Sequence, residues 1–101
     1  MKTTIILSVA FLLSTQAAHA RASKGEKIYK MKCAACHAPA GAGIDGYGPK
    51  LAGQYASYLE AQIKDIKSGD RDNGMSPMML GVFGTMSDAE ITQVSKWLET
   101  L

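Results

Sequence analysis

Cys33, Cys36 and His37 bring two thiols and one imidazole together within five residues of sequence. In the spacing Cys-x-x-Cys-His, the thiols can add to the two vinyl groups of a porphyrin while the imidazole reaches the iron. The pattern therefore predicts one covalently bound haem c, attached through Cys33 and Cys36, with His37 as an axial ligand of the iron.

Three other uses of these residues are less favoured. A zinc site needs four ligands, and the remaining histidine, His19, lies in a segment that we expect to be removed. A thioredoxin-like motif belongs beside a βαβ pattern, and no run of alternating residues predicts a strand here. A disulfide between Cys33 and Cys36 would close a very short loop, and it would leave His37 unexplained.

Residues 1–20 have the pattern of a secretory signal peptide. Lys2 provides a positive start, residues 5–13 are apolar, and Ala18-His19-Ala20 is a small-x-small cleavage site. The alternative is an uncleaved anchor, but the apolar run is too short to span a bilayer comfortably. We therefore expect cleavage after Ala20, a periplasmic location and a single domain over residues 21–101.

The expected mature chain is almost neutral. Without Lys2 it has ten Lys and Arg residues against nine Asp and Glu residues. This balance gives no support for nucleic-acid binding, which usually shows a clustered basic face. A domain of this size also needs a stabilising element beyond its own core, which a covalently held haem would provide.

Capping and periodicity predict three helices. Ser23 and Glu26 form a capping box that begins a helix over residues 23–32, and a second helix covers residues 55–68. Ser87 and Glu90 repeat the capping box before the last helix. The glycine-rich and proline-containing segments between them, residues 38–53 and 70–86, are predicted to be irregular. The fold class is therefore all-α.

A methionine is the expected second axial ligand. With His19 removed, His37 is the only histidine, so bis-histidine ligation is excluded, and His/Met ligation is common in electron-transfer haems. The candidates in the second irregular segment are Met75, Met78 and Met79, whereas Met86 is expected to pack beside the last helix. Each of them could instead be flexible core filler.

Pro49 is a candidate partner for His37. A ligating histidine usually donates its other ring N–H to a carboxylate or a carbonyl, and no acidic pair lies close in sequence. A loop carbonyl after the attachment motif would fill this role. The alternative is that Gly48-Pro49 forms an ordinary turn.

These residues together resemble small class I c-type cytochromes, such as the bacterial monohaem proteins of the cytochrome c553, c5 and c4 groups. The resemblance covers nearly all of residues 21–101 and is carried by Gly25 and Tyr29, Cys33 to His37, Gly48 to Gln54, Met78 to Gly81, Met86 to Ile91, and Trp97-Leu98. It implies three to four short helices around one haem, with the N- and C-terminal helices crossing at Gly25, Tyr29 and Trp97. It also implies that the Pro49 carbonyl accepts a hydrogen bond from His37.

The resemblance also selects among the methionines. In these relatives the axial methionine lies seven residues before the hydrophobic residue that precedes the Ser-Asp cap. That residue is Met86 here, where leucine is more usual, and counting back gives Met79 rather than Met78 or Met75.

The expected function is one-electron transport by a soluble periplasmic monomer that is not an enzyme. Redox proteins would dock at the haem edge, and membrane-bound donors or acceptors are compatible with this role. The alternatives are a haem subunit of a larger periplasmic oxidoreductase complex, of the sulfur-oxidising or dehydrogenase type, and a haem enzyme or gas sensor with a displaceable methionine. Nearby lysines either steer an acidic partner or form a solvated face: Lys24, Lys27, Lys30, Lys32 and Lys50.

Overall fold

The computed structural model of the chain describes residues 24–101, and it is helical with irregular connections. Within this range the only extended pairing is an isolated antiparallel bridge between Ile44 and Gly48, so the predicted all-α class is confirmed. No helix in the described part of the chain is both long and apolar enough to cross a membrane. The helices are α1 (residues 24–32), α2 (Ala34–His37), α3 (Ala56–Ser68), α4 (Ser76–Phe83) and α5 (Asp88–Glu99), with a 3-10 turn at Pro39–Gly41 after α2.

The predicted capping box of α5 is present. The Ser87 Oγ atom accepts from the Glu90 backbone N–H at 3.2 Å, and Glu90 Oε1 accepts from the Ser87 N–H at 3.0 Å. The second of these bonds holds the pKa of the Glu90 carboxyl below its ordinary value, because it favours the charged form. The first predicted capping box includes Ser23 and therefore lies outside the described residues.

The prediction of an irregular segment over residues 70–86 is wrong in its second half, where α4 forms. Pro77 stands in the first turn of α4, where a missing backbone N–H costs nothing. The eight residues of α4 are apolar on nearly every side, so they show none of the periodicity by which an amphipathic helix is recognised. The polar half of the segment, with Gly74 at a φ of +57°, is irregular as expected.

Helices α1 and α5 cross in close contact, as the resemblance implied. A Cβ atom on Gly25 would lie 2.6 Å from the Trp97 Cβ and 3.0 Å from the Gln93 carbonyl carbon, so only glycine fits. One turn further along α1, the ring of Tyr29 packs against Trp97 with 5.3 Å between ring centroids. Tyr29 is fully buried. The crossing therefore depends on one residue without a side chain and one pair of aromatic rings.

The core is formed by apolar side chains from α1, α3, α4 and α5. Met86 lies in it and is 4% exposed, in agreement with its expected packing role. Among residues 24–101 one buried polar atom breaks the pattern, since the Ser95 hydroxyl on α5 has no hydrogen-bond partner there. The buried core residues are Tyr29, Leu59, Ile63, Ile66, Phe83, Met86, Ile91, Val94 and Leu98.

Replacing Ser95 by alanine is expected to raise the free energy of unfolding by about 1 kcal/mol, because it removes an unsatisfied buried hydroxyl at little cost in volume. Urea unfolding of the haem-loaded protein measures the change. Ser87→Ala is the matched control in the same helix. It should lower stability by about 1 kcal/mol through loss of the cap. A loss of stability in Ser95→Ala would show that this hydroxyl is satisfied in solution.

Candidate haem site

The Cys33–His37 motif continues the direction of α1 as a second short helical turn. The Cys33 N–H donates to the Tyr29 carbonyl at 2.9 Å, and the His37 N–H donates to the Cys33 carbonyl at 3.0 Å. Cys33 therefore caps the short turn that carries Cys36 and His37, so the two thiols and the imidazole lie within one turn of chain, close enough to attach to one porphyrin.

The two thiols have different surroundings. Burial raises the pKa of the Cys33 thiol to about 11, whereas Cys36 is exposed, with its Sγ 3.8 Å from the Tyr47 hydroxyl. Redox-active and nucleophilic cysteines usually have a lowered pKa, which Cys33 does not show. Within the described residues, neither thiol is in a disulfide.

The imidazole of His37 is buried and held by the loop that follows it. The ring is in a residue only 6% exposed, and its Nδ1 lies 2.9 Å from the Pro49 carbonyl oxygen. A carbonyl oxygen can only accept, so Nδ1 carries a proton and Nε2 is the ring nitrogen left to bind a metal. A histidine oriented in this way is suited to ligate a metal through Nε2.

Gly48 allows the loop to approach this closely. A Cβ atom there would lie 2.8 Å from the Cys36 carbonyl carbon and 3.3 Å from His37 Nδ1. The backbone around it is fixed by hydrogen bonds between Ile44 and Gly48 and by a 2.7 Å bond from the Gly43 N–H to the His37 carbonyl. In the sequence Gly48 stands out only as the residue before Pro49 and as part of the segment that carries the family resemblance, and its steric role follows from this contact.

The three candidate methionines lie in different environments. Met79, on α4, is half-buried and packs against the core. Met78 and Met75 are 60% and 42% exposed. Successive residues of a helix point about 100° apart, so Met78 and Met79 cannot both face inward. Among the three, Met79 is placed best to act from inside the protein.

The side chains present fit a c-type haem. Two thiols within one turn of chain, an imidazole whose Nε2 is not used by the loop and a partly buried thioether are the donors such a group uses. Residues 24–101 contain no group of three or more His, Cys, Asp or Glu side chains able to hold a metal ion. A haem brings four nitrogen ligands of its own, so it suits this donor set better than a bare ion does.

Gly48→Ala is expected to push the loop away from Cys36 and weaken the bond between His37 and Pro49. The reduced haem-loaded protein should then exchange the His37 ring N–H proton at least tenfold faster, as measured by NMR. Gly46→Ala is the control, because Gly46 has a φ of +72° but nothing within 4 Å of an added Cβ. Gly46→Ala should lower stability without changing the exchange rate of the His37 ring N–H. Equal exchange rates in the wild type and in Gly48→Ala would contradict the role of Gly48 in allowing the bond between His37 and Pro49.

Comparison with known proteins gives a consistent result. The model of the cytochrome c family matches residues 22–101. Cytochrome c4 of Stutzerimonas stutzeri is 37% identical over 92 residues, covering 81% of this chain and 44% of the relative. The thiosulfate dehydrogenase electron acceptor of S. stutzeri strain A1501 is 41% identical over 66 residues, or 65% of this chain and 31% of the relative. Cytochrome c-554(548) of Halomonas halodenitrificans is 35% identical over 65 residues, or 64% and 78%.

The fold agrees as well. The crystal structure of reduced recombinant cytochrome c4 from Pseudomonas stutzeri superposes with a TM-score of 0.71 at 36% identity, covering 81% of this chain and 48% of that one. The chain spans less than half of the length of the cytochrome c4 and electron-acceptor relatives. With the family model matched across all the described residues and the helices arranged as in a cytochrome c4, the chain belongs to the cytochrome c family as a class I c-type cytochrome.

Proposed function

We propose that this protein carries single electrons in the periplasm by means of one haem c, bound covalently through Cys33 and Cys36 and ligated by His37 and Met79. The observation that carries the proposal is the buried His37 ring, whose Nδ1 is committed to the Pro49 carbonyl at 2.9 Å. This hydrogen bond fixes the tautomer and leaves Nε2 as the metal-binding atom. The half-buried Met79 supports the second ligand.

When bound, the haem supplies an iron that takes up and releases one electron. The chain adjusts how readily this happens. The hydrogen bond from Nδ1 makes the His37 imidazole a stronger donor, which favours the oxidised iron, whereas a thioether ligand such as Met79 favours the reduced iron. If His37 and Met79 both ligate the iron, they would leave no position for a substrate, so this ligand set would support a carrier rather than an enzyme.

The proposed location depends on residues 1–20 acting as a signal peptide that is cleaved after Ala20, leaving residues 21–101 as the cytochrome domain. Support comes from the charged start, apolar run and small-x-small site of that segment. These residues lie outside those that the structure describes.

The redox partners are proposed to be proteins that dock where the haem edge is exposed. The similarity to a thiosulfate dehydrogenase electron acceptor favours an enzyme of thiosulfate oxidation as one electron donor. It also favours the second candidate function, a haem subunit of a sulfur-oxidising complex. Stable co-purification with such an enzyme at high salt would support the subunit, and a monomer that turns over freely with it would support the carrier.

Two of the five lysines near the attachment motif are engaged within the protein. Lys30 pairs with Glu26 at 2.9 Å, and Lys32 donates to the Thr85 hydroxyl at 2.9 Å. Exposed Lys24, Lys27 and Lys50 are therefore the better candidates for steering an acidic partner.

Met79→Ala is expected to abolish the thioether-to-iron charge-transfer band of the oxidised protein. It should also let the reduced protein bind carbon monoxide at neutral pH, which the wild type should not do. Met78→Ala and Met75→Ala are the controls and should keep the band, because both side chains are exposed. If Met78→Ala loses the band and Met79→Ala keeps it, the ligand is Met78. Carbon monoxide binding by the wild type would favour the gas-sensor alternative.

The double variant Lys27→Gln, Lys50→Gln is expected to slow oxidation of the reduced protein by hexacyanoferrate(III), an anionic probe, and to flatten the dependence of the rate on salt. Removing positive charge near the site lowers the encounter rate with an anion. Lys64→Gln, Lys96→Gln is the control of equal charge, with exposed lysines on α3 and α5. Identical rates and salt slopes in the two double variants would assign the lysines to a solvated face.

A further inference from the structure

The hydroxyl of Tyr29 makes two hydrogen bonds to the turn that follows His37. It donates to the Ala38 carbonyl and accepts from the Gly41 N–H, the latter at 2.9 Å. Tyr29 is fully buried, and burial raises the pKa of its hydroxyl despite the opposing bond from Gly41. The hydroxyl therefore stays protonated and can act as donor and acceptor together. The ring packs against Trp97, so the two parts of this side chain have separate roles.

The turn that the hydroxyl holds is strained. Ala38 and Ala40 have φ values of +67° and +55°, in the left-handed region that disfavours residues with a Cβ atom. Such conformations persist only where surrounding contacts fix them. The two hydrogen bonds of the buried Tyr29 hydroxyl are such contacts. They hold Ala38 and Gly41, which lie on either side of Ala40.

The turn at residues 38–41 also fixes the segment that contains Pro49. The Gly41 carbonyl accepts from the N–H groups of Leu51 and Ala52 at 2.9 and 3.1 Å. Gly41 is buried, and a Cβ atom there would lie 3.0 Å from the Ala52 nitrogen. Pro49 lies two residues before Leu51, so the position of its carbonyl depends on where Gly41 stands.

We propose that the Tyr29 hydroxyl is a positioning residue for His37, because it anchors the turn at residues 38–41 and thereby places the Pro49 carbonyl at His37 Nδ1. The effect of this anchor on the reduction potential rests on the proposed function, because it requires a haem iron ligated by His37. Loosening the bond from Nδ1 to Pro49 makes the imidazole a weaker donor to the iron, which disfavours the oxidised state. The reduction potential should therefore become more positive when the anchor is lost.

Tyr29→Phe tests this in the full-length haem-loaded protein, since it removes the hydroxyl and keeps the ring. In the reduced protein, NMR should show at least tenfold faster hydrogen exchange at the Gly41 amide and at the His37 ring N–H. The equilibrium constant for reduction should rise at least twofold, about 18 mV at 59 mV per tenfold change.

Ile91→Val is the control for a general loss of stability. Ile91 is fully buried in the same core and lies on α5, away from the turn. This variant should leave the reduction potential and the exchange rate of the His37 ring N–H unchanged. If Tyr29→Phe behaves in the same way as Ile91→Val, it will lose stability while the reduction potential and the exchange rate of the His37 ring N–H stay the same. In that case the hydroxyl is only structural and the proposal is wrong.

A second variant keeps the proposal testable if Tyr29→Phe yields no folded protein. Adding Ala38→Gly relieves the strain at the turn, so the double variant should fold and return both exchange rates towards the wild type. Failure of this rescue would overturn the proposed anchoring of a strained turn. Failure of the proposed function looks different, because the wild type itself would then lack a haem-shifted His37 ring proton.

Discussion

The hydrogen bond from His37 Nδ1 to the Pro49 carbonyl is the interaction on which the arrangement of the site depends. A buried imidazole must satisfy its N–H group, and this bond does so while it commits Nδ1 to the loop and leaves Nε2 free of it. Gly48 is needed because any side chain there would enter the space of the Cys36 carbonyl. To place the Pro49 carbonyl, twelve residues after His37, at Nδ1, the backbone at Gly48 must therefore pass close to the backbone at Cys36.

The proposed methionine ligand lies in a part of the chain that is held differently. Met79 is provided by α4, an apolar helix that packs through Phe83 and Met79 against the core. The turn after α4 is held from two directions, by Lys32 of α1 at the Thr85 hydroxyl and by Lys67 of α3 at the Met86 carbonyl, 3.1 Å away. Backbone contacts therefore position His37, whereas Met79 relies on helix packing and on two lysine contacts to the turn after α4.

Local patterns predicted the parts of the fold that are determined locally. The cap at Ser87 and the spacing of Cys33, Cys36 and His37 are each encoded within a few residues, and α1, α3 and α5 lie within a residue of where they were expected. Helix α4 was missed because an element that is apolar on all sides has no period to detect. The steric role of Gly48 and the double hydrogen bond of Tyr29 join residues nine or more positions apart, so no local pattern reveals them. The contact between Gly25 and Trp97 was expected only because the chain resembles a known family.

That contact has a consequence for the order in which the protein folds. Gly25 and Trp97 lie near opposite ends of the described chain, and bringing them together closes a loop of about seventy residues, at a cost of ~4 kcal/mol in chain entropy. Helix α1 cannot bury Tyr29 against Trp97 until α5 is available. Packing of α1 therefore waits for α5, and Tyr29 is buried only once α5 has docked against it.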